Sequence, residues 1–277
     1  MNQNPLYLIP FDFTPVSESA VRIGLDLSIA NKGSIILLHV VKNQHERLEA
    51  KLKFKDYLNS LSDSDRALTK TKAIIGDVYE DISKAGDLLD AALIVMGTHG
   101  AKGFQKVFGS HAVKMISYSD QPFLITQGKK SVEKMKTIVM PFSFEKKSIQ
   151  VATFASVIAK KFKATIHLVG YHDKDELLDK GRIVNQKIVR EYLEDNNVEH
   201  VIAKVEKGVD FEKHLMAYAA EVDADLMAAG YYKDGIITNP NSFIQEMIEN
   251  ELHIPLLTIN AEGLTTSSGA SAATGYQ

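Results

Sequence analysis

The chain has 277 residues, 45% of them hydrophobic and 24% charged, with a formal net charge of −3 and no cysteine. That length suits one large domain or two of ordinary size, each able to bury its own core, and the near-neutral charge gives no reason to expect a nucleic-acid partner. The lack of cysteine excludes disulfides, thiolate metal ligands and a cysteine nucleophile, and fits a reducing, cytoplasmic setting.

The N-terminus shows no basic-then-apolar leader pattern, and Asp12 interrupts its first apolar run. No apolar run approaches the roughly 20 residues that a membrane span needs, so no membrane partner is expected. The pattern predicts a first strand over Leu6–Pro10 and a helix near Ser17–Ala30. A second strand over Ser34–Val40 leads to a helix near Gln44–Asn59, where Leu48, Leu52 and Leu58 suggest an apolar stripe. A third strand covers roughly Leu68–Ile75, and the next helix carries Ile82, Ala85 and Leu89 on one face. The fourth strand is read as Ala91–Met96, the fourth helix as Ser110–Ser119 and the fifth strand as Phe123–Thr126.

The plan then repeats. Tyr7-Leu8-Ile9-Pro10-Phe11-Asp12-Phe13 resembles Thr137-Ile138-Val139-Met140-Pro141-Phe142-Ser143-Phe144, with Pro10 and Pro141 separated by 131 positions. Lys32–Leu38 matches Lys163–Val169, Ala92–Gly97 matches Asp225–Gly230, and Gln121–Thr126 matches Ile254–Ile259. Collinear matches at a domain-sized period indicate a tandem duplication. Gly128-Lys129-Lys130-Ser131 reads as the linker, and Ala261–Gln277 as a disordered tail too poor in apolar mass to pack. Nearly continuous apolar strands alternating with helices mean a parallel sheet covered on both faces. Right-handed crossovers make it doubly wound. Its ligand crevice belongs at the carboxyl ends of the strands, where strand order reverses.

Candidate site residues cluster at those ends. Gly97 closes the fourth strand, Gly100 and Gly103 follow, and Gly109-Ser110 opens a helix. Free N–H groups and the helix dipole there favour an anion, with His99, Lys102, Lys106 and His111 as cationic donors. The alternative is that the glycines only make tight turns and Ser110 only caps its helix. Neither the dinucleotide fingerprint nor the Walker loop is present. Asp12, ending the first strand, suits a base or ribose, or else a cap on the following helix or turn. Val40 and Val41 end the second strand, either as exposed backbone for a base edge or as packing. His39 and His167 read as partly buried packing residues. No histidine spacing suggests a metal site, and no G-x-S-x-G elbow suggests a hydrolase.

These residues resemble the universal stress protein family, over residues 5–127 and 135–260. ATP-binding members carry G-x-x-G, nine residues, then G-[ST]. Here Gly97-Thr98-His99-Gly100 precedes Gly109-Ser110 with eight residues between, one fewer than the family pattern. The family's aspartate after the first strand matches Asp12, and the valine that offers backbone to adenine matches Val40. The resemblance implies an α/β fold of two tandem doubly wound domains, each a five-stranded parallel sheet of order 3-2-1-4-5 with helices on both faces. It implies domains over 1–128 and 135–260. It implies ATP or another adenine nucleotide, with Mg²⁺, held by Pro10, Asp12, Val40, Met96, Gly97, His99, Gly100, Gly109, Ser110 and His111. The second half departs from the pattern: Ser143 replaces the aspartate, Gly230-Tyr231-Tyr232-Lys233-Asp234-Gly235 lacks the second glycine, and Asn239-Pro240-Asn241-Ser242-Phe243 has no Gly-Ser. It is expected to have lost the nucleotide and to serve as a packing partner.

In the family, single domains pair through edge strands, so a tandem chain can make that pair internally. The expected function is a stress-responsive regulatory protein with at most slow hydrolysis, acting on a protein partner and in the family habit as a homodimer. The alternative is a scaffold that binds no nucleotide and acts through protein contacts. An adenylating enzyme would need S-G-G-x-D-S or a class-I synthetase signature, and neither is visible.

Overall fold

The computed structural model describes residues 4–98, 109–130, 134–142, 148–170, 175–203, 210–231 and 240–260. In the first half, strand β1 (Leu6–Pro10) is followed by helix α1 (Pro15–Asn31), β2 (Ser34–Val41), α2 (Gln44–Ser60), α3 (Asp63–Leu68), β3 (Thr69–Ile75), α4 (Val78–Leu88), β4 (Leu93–Gly97), α5 (Gly109–Ser117) and β5 (Phe123–Thr126). The second half runs β6 (Thr137–Phe142), α6 (Ser148–Phe162), β7 (Thr165–Gly170), α7 (Glu176–Asp195), β8 (His200–Ile202), α8 (Phe211–Glu221), β9 (Leu226–Tyr231), α9 (Pro240–Ile248) and β10 (Leu256–Asn260). The tail beyond 260 and the end of the proposed linker lie outside the described residues.

Local chemistry starts and stops the helices. Thr14 caps α1 by accepting from the Ser17 N–H, and Pro15 supplies a fixed φ in the first turn. Asn43 caps α2 through the Glu46 N–H, and Glu46 reaches back to the Lys42 N–H at 2.9 Å. Asp77 caps α4 through the Tyr79 and Glu80 N–H groups. Left-handed Lys32 ends α1, with its N–H on the Ser28 carbonyl.

Two elements differ from the sequence reading. Helix α3 was not anticipated; six residues are too few to display a helical period. In α2 most of the expected stripe points outward: Leu48 is 53% and Leu52 66% exposed, Leu58 is half-buried, and the buried residues are Ala50 and Phe54. Phe54 stacks on Phe11 and tilts against Phe13, so the buried ring sets the helix's rotation.

The ten strands form one sheet of order β3-β2-β1-β4-β5-β10-β9-β6-β7-β8. Each half thus has the expected 3-2-1-4-5 order, with parallel pairing throughout. The halves meet where β5 and β10 pair antiparallel, Leu124 opposite Leu257. Two strand edges are thereby satisfied inside one chain, as the tandem arrangement led us to expect. Alternate residues of the strands feed two cores. Tyr7, Ile9, Leu37, Val95 and Leu124 pack with α1 and α2, and with α6 and α7 beyond them. Leu8, Leu38, Ile94, Met96 and Phe123 pack with α4 and α5, and with α8 and α9.

Candidate nucleotide site

Register locates the crevice. Strands β1 and β4 pair only at Tyr7–Leu93 and Leu8–Ile94, yet β1 runs on to Pro10 and β4 to Gly97. Beyond the last pair the two strands part at their carboxyl ends, which is the topological switch point of the sheet. Pro10, Val40 and Met96 all face the α4 and α5 side there, by alternation from Leu8, Leu38 and Ile94. Pro10 and Val40 are half-buried. The Met96 side chain is buried in the core, so only its backbone reaches the crevice.

The backbone of β2 has a specific consequence at this place. The Phe11 N–H donates to the Leu38 carbonyl at 2.9 Å, and the Gly76 N–H to the Val41 carbonyl at 3.0 Å. Backbone groups of successive strand residues alternate sides. Val40 therefore turns its N–H and C=O toward β1, past the point where β1 ends. Among the described residues, no backbone group bonds to them on that side.

Asp12 lies just beyond β1 and is exposed. Its Oδ1 accepts from the Thr14 N–H at 3.1 Å and from the Thr14 hydroxyl at 2.5 Å. It is Thr14, not Asp12, that caps α1; Asp12 closes the turn before the cap. Partial enclosure pushes the Asp12 carboxyl up, but hydrogen bonds from the Thr14 and Ser17 side chains and from backbone N–H groups outweigh it. The net shift is below the ordinary 3.8.

Gly97 is half-buried at the end of β4. A Cβ there would run into the Val16 carbonyl in the first turn of α1. Thr98 follows, buried, with its N–H on the Thr126 carbonyl at 2.8 Å. Gly109, Ser110 and His111 form the first residues of α5, whose later residues Ala112, Val113 and Ile116 enter the α4–α5 core. The side chains of these three, and all of His99 and Gly100, fall outside the described residues.

Two neighbours were not singled out for this site from the sequence. His39 is half-buried, as a packing residue should be, but its Nδ1 also lies 2.6 Å from the Phe11 carbonyl. Phe13 has a left-handed backbone, φ 64°. The one signal in the sequence is the Phe-x-Phe spacing, which says nothing of φ. His167 belongs to the other sheet face, where its Nδ1 meets the Tyr218 hydroxyl at 2.8 Å and burial lowers its pKa.

The second half is filled differently. Gly230 pairs with Ile259 as Gly97 pairs with Thr126. The residue after Gly230 is Tyr231, 5% exposed within the α8–α9 core, the core that also takes Phe211 and Phe243, stacked at 6.5 Å. Ser143, Tyr232, Gly235 and Asn239 lie outside the described residues. Among the described residues, no helix is long and apolar enough to cross a membrane, and no cluster of three or more His, Asp or Glu is placed to hold a metal ion.

Comparisons with known proteins bear on the whole chain. The model of the universal stress protein family matches residues 7–127. A universal stress protein structure from Archaeoglobus fulgidus superposes with a TM-score of 0.73 at 18% identity, over 94% of this chain and 100% of that one. A putative universal stress protein from Pseudomonas aeruginosa gives 0.61 at 14%, over 93% of each chain. A functionally unknown protein of that species gives 0.61 at 14%, over 99% of this chain and 97% of that one. At such identities the structures share the fold. No curated protein matches the chain. The N-terminal half, over residues 7–127, is thus a member of the universal stress protein family, and the second half repeats the same fold.

Proposed function

We propose that the N-terminal half, residues 1–128, binds ATP or another adenine nucleotide and acts as a regulatory protein under stress in the cytoplasm. The observation that carries this reading is Val40, whose unladdered N–H and C=O form a donor–acceptor pair suited to an adenine edge. Asp12, on the adjoining turn, suits the ribose hydroxyls. Phosphates belong at the start of α5, where Gly109, Ser110 and His111 begin a helix with its dipole toward the crevice. His99 and Gly100 complete the site in this proposal. Mg²⁺ would accompany the phosphates, taking phosphate oxygens and water as most of its ligands.

Hydrolysis is at most slow. Asp12 sits at the base end and its depressed pKa makes it a poor general base. The second half, residues 135–260, carries no nucleotide and serves as a packing partner; support comes from Tyr231, a bulky side chain buried at its equivalent strand end. Bound nucleotide would bias a surface read by a protein partner or a second copy of the chain.

A scaffold that binds no nucleotide is favoured by one observation. Gly97 is already required by its contact with α1, whether or not a ligand comes near. Calorimetric titration of the purified chain with Mg-ATP separates the two. Binding is expected, and Gly109→Val with Ser110→Ala should abolish it while the thermal melt persists. Silence at millimolar ATP establishes the scaffold instead, and unaltered affinity in the double variant removes the phosphate site from α5.

A further inference from the structure

Seven non-glycine residues among those described have a left-handed backbone. Lys32, Asp90, Lys163, Asn197 and Asp223 stand one or two residues past helix ends, where that conformation is an ordinary stop. His253 closes the turn after α9. Phe13 stands apart. It precedes a helix, and a bulky residue at φ 64° is an outlier. Such a conformation persists only where its surroundings over-determine it.

They do so here. Asp12 Oδ1 closes the turn on the Thr14 N–H. The Phe13 ring lies edge-on to Phe11 at 4.9 Å and to His39 at 5.1 Å, and is tilted against Phe54 at 5.1 Å. Lys53 Nζ sits 5.6 Å from its centroid.

The turn changes what β2 presents. Pro10 pairs with Leu38, so an unbroken β1 would next place Asp12 beside Val40. In that parallel ladder the Val40 N–H would donate to the Phe11 carbonyl, and the Val40 carbonyl would accept from the Phe13 N–H. Neither bond is made. The Phe11 carbonyl instead accepts from His39 Nδ1, which must carry a hydrogen because a carbonyl only accepts. Phe13, turned left-handed, leads the chain away.

We propose that His39 and Phe13 are positioning residues that hold the end of β2 open. His39 takes the one carbonyl that would otherwise capture the Val40 N–H, and Phe13 removes the strand that would cover the Val40 carbonyl. The ligand-facing part of this device rests on the adenine-nucleotide reading given above; the open edge itself does not.

The test uses four variants of the full chain. His39→Phe keeps a ring but no donor; His39→Asn restores a side-chain N–H. Phe13→Val forbids the left-handed turn; Phe13→Gly permits it. Amide hydrogen exchange at Val40, measured by NMR without nucleotide, should be fast in the wild type, His39→Asn and Phe13→Gly. It should slow by about tenfold or more in His39→Phe and Phe13→Val, the scale of one gained hydrogen bond. ATP affinity should fall by about tenfold in the latter two only, by the same measure. A protected Val40 amide in the wild type overturns the proposal. So does unchanged exchange in both His39→Phe and Phe13→Val, and if one of them fails to fold, the other decides. If exchange responds as expected but even the wild type binds no ATP, the open edge stands and the nucleotide reading falls. If the wild type binds and all four variants match it, the positioning role falls alone.

Discussion

At Gly97 a hydrogen atom is all that fits between the end of β4 and the first turn of α1. A methyl group would meet the backbone of Val16, which cannot move without displacing the helix N-terminus. Gly97→Ala should therefore cost about 1–3 kcal/mol, the usual range for overpacking, read as a lowered urea midpoint. It should also push α1 off the crevice and weaken any ligand there, so affinity and stability should fall together. Asp12 Oδ1 shapes the Phe13 turn, and the hydrogen bonds around it lower its pKa; in the proposed site this would keep it ionised for a ligand hydroxyl.

Helix α2 shows how tertiary contacts choose among a helix's possible faces. Leu48 and Leu52 are one turn apart and look like a stripe, but Phe11 and Phe13 capture Phe54 instead, and Phe11 also meets Tyr57 on the same helix. Phe54→Ala should cost about 3–5 kcal/mol, whereas Leu52→Ala, on the exposed face, should stay within about 0.5 kcal/mol. Equal losses in urea titrations of the two variants would show that α2 buries the leucine face after all.

Across the whole molecule, the antiparallel β5–β10 pair is reinforced by a polar clasp. Gln127 Nε2 donates to the Ile248 and Asn250 carbonyls, both at 2.9 Å, and its Oε1 accepts from His253 Nδ1 at 2.8 Å. His253 Nε2 then accepts from Lys129 Nζ at 2.9 Å, and Lys130 Nζ reaches the Ala224 carbonyl at 2.8 Å. The start of the linker is thus fastened to the second half. Burial, and then the charge of Lys129, hold the His253 pKa below its ordinary 6.5, against the smaller opposing effect of Glu251. The unfolded chain then binds more protons in that range. The clasp's contribution is complete above 6.5 and is lost as pH falls through the lower folded value. The urea midpoint should drop as pH falls below the ordinary histidine value of 6.5. His253→Asn, which tolerates the left-handed backbone at φ 55°, should flatten that drop. An identical pH profile in the variant would place the acid sensitivity elsewhere.

The sequence by itself determined the duplication, the alternation of strand and helix and the strand spans, because these follow from short-range periodicity that packing only reinforces. Leu6–Pro10 and Phe123–Thr126 are strands in the structure with the bounds read from the residues alone. It also singled out Asp12, Val40 and Gly97, since residue type and position at a strand end are local facts. Only the tertiary structure decided the rotation of α2, the antiparallel union of β5 with β10, the role of His39 and the left-handed turn at Phe13. Each of these depends on which distant groups meet. A ring's hydrogen bond to a carbonyl 28 positions away, or a φ angle held by three other rings, leaves no periodic trace in the chain.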